Sequence, residues 1–296
     1  MRDITRLQNS LPNTKMSIFG SSQSGLGTKY SDIDVIIHLN NDEVSQKFSS
    51  IIGRVENTGS SGFGVTLPLR KARIPLIKLL HRETKIEVDI TFDTPSFRRT
   101  EALQNTKLIR AYVSNNIIIR KLYLFIKLIF GYKELFDASK GGLSSYAHSL
   151  IIIYFLINKM KISLLDINTF EEKTQGEQNA RPAEVVIKYL NFVVEELPYL
   201  KVDIRKIDKI KEKSYEYDLI GEEFYDYQCL EIRDPYENRN LAKNFKRKNL
   251  YIFKNLALEW LEYFQNNESF LLQHIKRDAP TIVQKAVDAY DPRREQ

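Results

Sequence analysis

Two hydrophobic periods divide the chain. Up to about residue 100 apolar and polar residues alternate in short runs; beyond it, apolar residues recur every three to four positions. In the first part, residues 2–11 form a short amphipathic helical pattern (Ile4, Leu7, Leu11) that stops at Pro12. Strands are predicted at about 15–19 and 32–39, and a helix at 41–51. The Gly/Ser-rich stretch from Asn57 to Gly64 then reads as a loop. A hairpin is predicted from Ile74–Leu80, the turn His81–Thr84 and Lys85–Phe92. Its second arm alternates strictly, with Glu87, Asp89 and Thr91 on one face and Ile86, Val88, Ile90 and Phe92 on the other. Helical patterns follow over roughly 101–113, 116–130, 144–158, 183–196 and 249–264, with a polar surface loop at 171–179. The pattern predicts an α+β protein: a small mixed-sheet unit, then a larger helical unit, with a cleft between them. No internal repeat is apparent.

The chemistry concentrates at residues 19–34, where an apolar strand (Ile18, Phe19) runs into the turn Gly20-Ser21 and a second strand begins with Asp32-Ile33-Asp34. Side chains alternate along a strand, so Asp32 and Asp34 point the same way while Ile33 and Val35 point to the core. Two parallel carboxylates offer hard oxygens to Mg²⁺, and a glycine turn offers amide donors to phosphate. Asp89 places a third carboxylate on a polar strand face.

Composition narrows the setting. The 296 residues suffice for two domains, and 43% hydrophobic with 28% charged residues describe an ordinary globular protein. Lys and Arg outnumber Asp and Glu by 44 to 38, a mild surplus that favours a polyanionic partner. The single cysteine, Cys229, excludes an internal disulfide and points to a reducing compartment. The four histidines (His38, His81, His148, His274) are scattered and form no metal-ligand pattern. The most apolar run, 149–157, is far shorter than the ~20 residues that span a bilayer and reads as a buried core helix. With no signal-peptide pattern at the N-terminus, the expectation is a cytoplasmic protein without a membrane partner, a mitochondrial location being left open.

Gly20-Ser21, then Asp32-x-Asp34, then a strand carrying Asp89 resembles the DNA polymerase β-like nucleotidyltransferase superfamily. Four further blocks occur in order: Ala72-Arg73-Ile74-Pro75-Leu76-Ile77-Lys78, Gln104-Asn105-Thr106, Ser139 to Ala147, and Ile232-Arg233-Asp234-Pro235-Tyr236-Glu237. With these the chain, to about residue 265, resembles non-canonical poly(A) polymerases and terminal uridylyltransferases. The resemblance implies a catalytic palm domain over 1–113 and a helical, poly(A)-polymerase-associated nucleotide-recognition domain over 114–296, with the N-terminal helix free to pack on the latter.

It further implies that Asp32, Asp34 and Asp89 are catalytic and hold two Mg²⁺ ions, for which Mn²⁺ can substitute. Gly20 and Ser21 would cradle the β- and γ-phosphates. Lys127 would contact the triphosphate, Ser145 a phosphate, Tyr146 the base by stacking, and Asn105 the ribose hydroxyls. Asp234 and Glu237 would read the base edge. Residue by residue, Ser145 capping its helix, Tyr146 packing in a core and Lys127 lying on a surface are the plain alternatives. Three departures stand out: Gly131 where the family carries a second triphosphate lysine (with Lys133 nearby), Arg239 where a uracil-selecting histidine is usual, and Lys243 in place of an arginine. Arg98, Arg99, Lys243, Lys246, Arg247 and Lys248 are candidates for a phosphate path. The implied activity is transfer of UMP from UTP to the 3′-hydroxyl of single-stranded RNA. Polyadenylation with ATP, a catalytically silent RNA- or nucleotide-binding relative and an antibiotic-modifying nucleotidyltransferase are the alternatives.

Overall fold

The computed structural model describes residues 15–28, 31–42, 44–57, 62–69, 75–96, 100–131, 133, 135–174, 176, 181–205, 230–237 and 239–266. The N-terminal helical pattern, the centre of the Gly/Ser stretch, Arg73, Arg98, Arg99 and Cys229 lie outside them. Two compact units divide the chain, Met1–Ala111 and Tyr112–Gln296.

The first unit is built on a five-stranded mixed sheet. Its strands are β1 (Lys15–Phe19), β2 (Ile33–His38), β3 (Phe63–Leu69), β4 (Leu76–His81) and β5 (Glu87–Asp93), in the order β1-β2-β5-β4-β3. β2 runs parallel to β5, and the other neighbours are antiparallel. Helix α1 (Ser21–Ser24) is one turn inserted after β1, and α2 (Val44–Asn57) follows β2. The strict alternation along β2 and β5 turns Val35, Ile37, Val88, Ile90 and Phe92 to one face, where Phe48, Ile51 and Val55 of α2 complete a buried core. The opposite face of β2 and β5 is covered toward the C-terminal ends of these two strands. Ile36, Thr91 and Asp93 on it are buried, with Thr91 donating its hydroxyl to the Val35 carbonyl. At that far end the His38 ring joins the Ser17 hydroxyl at 2.8 Å and the Asp93 carboxylate at 2.9 Å, fastening β1, β2 and β5.

Two local expectations need correction. The helix predicted to stop near residue 51 runs on to Asn57, because Ile51, Ile52 and Val55 continue its apolar face. The stretch expected to be a loop up to Gly64 instead enters a strand at Phe63. Gly64 and Pro68 disguise the alternation of that strand, and its edge position tolerates a proline that no central strand would accept.

The second unit is helical. Its elements are α3 (Thr100–Asn115, whose last turn from Tyr112 belongs here), α4 (Ile117–Gly131), α5 (Ser145–Met160), α6 (Pro182–Glu195), β6 (Lys201–Val202), β7 (Glu231–Ile232) and α7 (Arg247–Asn266). The apolar run expected to be a core helix is one: every residue of α5 from Ala147 to Ile157 is buried. α4 presents Ile119, Leu122, Ile126 and Phe130 to this core, and α6 presents Val185, Tyr189 and Phe192. Edge-to-face rings knit the layers, Phe130 on Phe253 at 4.5 Å and Phe155 on Tyr189 at 5.2 Å. β6 and β7 form a parallel two-residue ribbon. No helix among the described residues is long and apolar enough to cross a membrane.

Candidate active site

Register brings the acidic side chains together. Asp34 stands directly opposite Asp89 across the parallel β2–β5 pair, and Asp32 lies two residues before Asp34, just ahead of β2. One carboxylate oxygen from each of Asp32, Asp34 and Asp89 falls within 4.8 Å of the others. Lys78, opposite Asp89 on β4, gives hydrogen bonds to both of its oxygens, at 2.6 and 2.8 Å. Burial pulls the Lys78 ammonium's pKa down, but the hydrogen bond and charge of Asp89, with Glu87 and Asp32 adding, outweigh it and leave the ammonium more firmly protonated than usual. Three carboxylates beside one ammonium leave two negative charges on hard oxygen donors, a set that fits a divalent cation such as Mg²⁺ or Mn²⁺.

The turn before the cluster is shaped by Asp34. Gly20 has φ 72° and ψ −154°, a region open in practice only to glycine, and a Cβ there would stand 2.0 Å from Asp34 Oδ2. The Gly20 amide donates to the Thr106 hydroxyl at 2.9 Å, and that hydroxyl donates in turn to the Ala102 carbonyl at 2.8 Å. Gly20 therefore holds the chain against Asp34, and its own N–H is already engaged within the fold. Ser21 opens α1, and Ser24 N–H closes that turn on the Gly20 carbonyl. Asn105 lies on α3 beside Thr106 and is buried. Nothing in the sequence pattern singles out Thr106 for this contact, which joins residues 86 positions apart.

A second group forms in the helical unit. Asp234 is fully buried; its Oδ1 accepts the amides of Tyr236 and Glu237, an Asx turn prepared by Pro235. Its Oδ2 makes no hydrogen bond and lies 3.6 Å from the Arg239 guanidinium, which bonds Glu237 at 2.5 Å. The Tyr146 phenol is pushed well above its ordinary pKa by burial first, then by Asp234 and Tyr236, with Glu237 adding and Arg239 opposing. Tyr146 thus shares its surroundings with Asp234, Glu237 and Arg239. The cap of α5 is Ser144, whose hydroxyl accepts the Ala147 amide, so Ser145 is not used as the cap. Lys127 is half-buried on α4. Gly131 ends that helix, and a Cβ there would meet nothing within 4 Å, so the missing lysine has no steric cause. Lys133, Lys243, Lys246 and Lys248 are exposed, with Arg247 half-buried. The metal-type cluster with Gly20, Ser21 and Asn105 belongs to the first unit; Lys127, Ser145, Tyr146, Asp234, Glu237 and Arg239 belong to the second.

The first unit thus combines a mixed sheet, a Gly-Ser turn and three converging carboxylates, one ahead of β2 and one each on β2 and β5. Residues 3–114 match the family model of the central palm domain of poly(A) RNA polymerase, mitochondrial-like. Human terminal uridylyltransferase 7 is 36% identical over 155 residues, 51% of this chain and 10% of that protein. Rat poly(A) RNA polymerase GLD2 is 28% identical over 159 residues, 51% of this chain and 32% of that protein. The chain thus spans a third or less of these two relatives. A crystal structure of the Cid1 poly(U) polymerase with Mg and 3′-dATP bound superposes with a TM-score of 0.69 at 20% identity, covering 94% of this chain and 89% of that one.

Proposed function

We propose that this chain is an RNA terminal uridylyltransferase, adding UMP from UTP to the 3′-hydroxyl of single-stranded RNA. The observation that carries the reading is the convergence of Asp32, Asp34 and Asp89 beside a glycine turn moulded around Asp34. The three carboxylates would hold two divalent ions, Mg²⁺ or Mn²⁺. When bound, such ions lower the pKa of the attacking 3′-hydroxyl and offset charge on the leaving pyrophosphate. The 3′-oxygen attacks the α-phosphorus in line; the new O–P bond forms as the bond to pyrophosphate breaks. The protein's part is positioning and electrostatics.

With the Gly20 amide engaged by Thr106, phosphate binding falls to Ser21 and to the cations Lys127 and Lys133. Ser145 would add a phosphate contact and Asn105 would read the ribose hydroxyls. Tyr146 would stack on the base, and the Oδ2 of Asp234, buried without a hydrogen bond, would accept the uracil N3–H, with Glu237 and Arg239 beside it. The exposed Lys243, Lys246 and Lys248 would track the RNA backbone, giving weak and salt-sensitive binding.

Polyadenylation is the second reading, favoured by the match to GLD2 and by the ability of a carboxylate to accept the adenine N6 amine. Incubating the protein with single-stranded RNA, Mg²⁺ and each nucleoside triphosphate separately decides between them. Preferential extension with UTP is expected, and preferential extension with ATP would replace the first reading by the second.

A further inference from the structure

The loop after β7, described over 233–237 and 239–240, is held at its base by main-chain bonds: Arg233 N–H to Val202, Asp234 N–H to Arg239 and Leu241 N–H to Ile232. The Asn240 side chain adds to these, accepting the Ile232 amide and donating to the Leu230 carbonyl. The apex is held from outside the loop. The Tyr236 phenol donates to the Ile167 carbonyl at 2.5 Å, sixty-nine residues back along the chain. Ile167 sits in a turn that Asp166 closes by accepting the amides of Asn168 and Thr169, and the Leu165 amide just before it donates to the Tyr112 phenol oxygen. The apex is thereby tied to a segment that is itself locked. Arg205, gripped by both oxygens of Asp203, adds a bond to the Pro235 carbonyl at 3.2 Å.

The position of Tyr236 matters to its neighbour. The Tyr236 and Glu237 amides orient the Asp234 carboxylate through Oδ1, so the backbone at 236 fixes where the other oxygen, Oδ2, points. We propose that Tyr236 is a positioning residue whose hydroxyl, by pinning the loop to Ile167, sets how sharply Asp234 and Glu237 discriminate among nucleobases. The inference rests on the reading that this loop meets the base. A phenylalanine at 236 would keep the packing and lose the pin. Burial first, then Asp234, Asp166 and Tyr112, push the Tyr236 phenol up to about 12, so it remains a donor at neutral pH.

The test is Tyr236→Phe in the full chain, measured beside Asp234→Asn. Loss of one hydrogen bond should raise KM for the preferred nucleotide by about threefold to tenfold, with kcat within about twofold of the parent. The preference over the next nucleotide should fall by a similar factor, and hydrogen exchange at the 236 and 237 amides should quicken with little change in Tm. Unchanged KM and base preference in Tyr236→Phe, whatever happens to Tm, would overturn the pin. Asp234→Asn with unaltered base preference would instead remove the premise that the loop reads the base, an outcome the Tyr236 variant alone does not produce.

Discussion

Lys78 faces Asp89 across the β4–β5 ladder and gives a hydrogen bond to each of its carboxylate oxygens. Any cation that takes Asp89 as a ligand must share those oxygens with the ammonium or displace it. The lysine also lowers the repulsion among three carboxylates held within 4.8 Å of one another.

Lys78→Gln therefore should bind Mn²⁺ more tightly. Because the pair is partly exposed, its competition is modest, and a gain of about threefold to tenfold in affinity is expected. Electron paramagnetic resonance titration of free Mn²⁺ reads this without reference to turnover. Weaker binding in the variant would mean that Lys78 holds Asp89 in place for the ion and does not compete with it.

Gly20→Ala places a methyl group where Asp34 Oδ2 already is and forces alanine into a glycine-only backbone region. A stability loss of about 1–3 kcal/mol is expected in urea denaturation, and the displaced Asp34 should cost nearly all activity. Full activity in a stable Gly20→Ala protein would contradict the assignment of this glycine.

Thr106→Val keeps the shape of the side chain and removes the acceptor of the Gly20 amide. The orphaned donor should cost about 1–3 kcal/mol, while Thr106→Ser, which retains the hydroxyl, should stay close to the parent. The comparison separates the hydrogen bond from the packing.

His148 supplies a pH dependence of stability. It is fully buried and stacks on Phe136, and its Nε2–H donates to the Leu135 carbonyl. Burial lowers its pKa from 6.5 to about 4, against the opposing pull of that carbonyl. The unfolded chain takes up a proton below 6.5 and the folded one does not. Stability is therefore complete above pH 6.5 and falls as the pH drops toward 4, by up to about 3 kcal/mol from this residue. His148→Gln, which keeps a donor toward Leu135, should flatten that slope in chemical denaturation measured across pH 4–7.

Local patterning made part of this architecture readable. The period-two alternation of β5 puts Asp89 on the polar face of its own strand, and the period-3.6 stretches mark α3 to α7 to within a few residues; the β2–β5 pairing that sets Asp89 opposite Asp34 comes from the fold. What escaped was long-range. Thr106 meets Gly20 across 86 positions and Tyr236 meets Ile167 across 69, and no periodicity reports such a pair. Lys78 opposite Asp89 was closer to view, because the register of a hairpin closed at His81–Lys85 carries it. In the sequence the Gly-Ser turn points to phosphate; the close approach of its glycine to Asp34 emerges only when the strands are assembled.

The most direct test of the central claim is extension of a single-stranded RNA by the full chain with UTP and Mg²⁺, the parent protein beside Asp34→Ala at matched folding by circular dichroism. The parent should add uridylates to the 3′ end, and the variant should add none while keeping its Tm within a few degrees. Extension by Asp34→Ala at the parent's rate, or no extension by the parent with any nucleotide, would contradict the account.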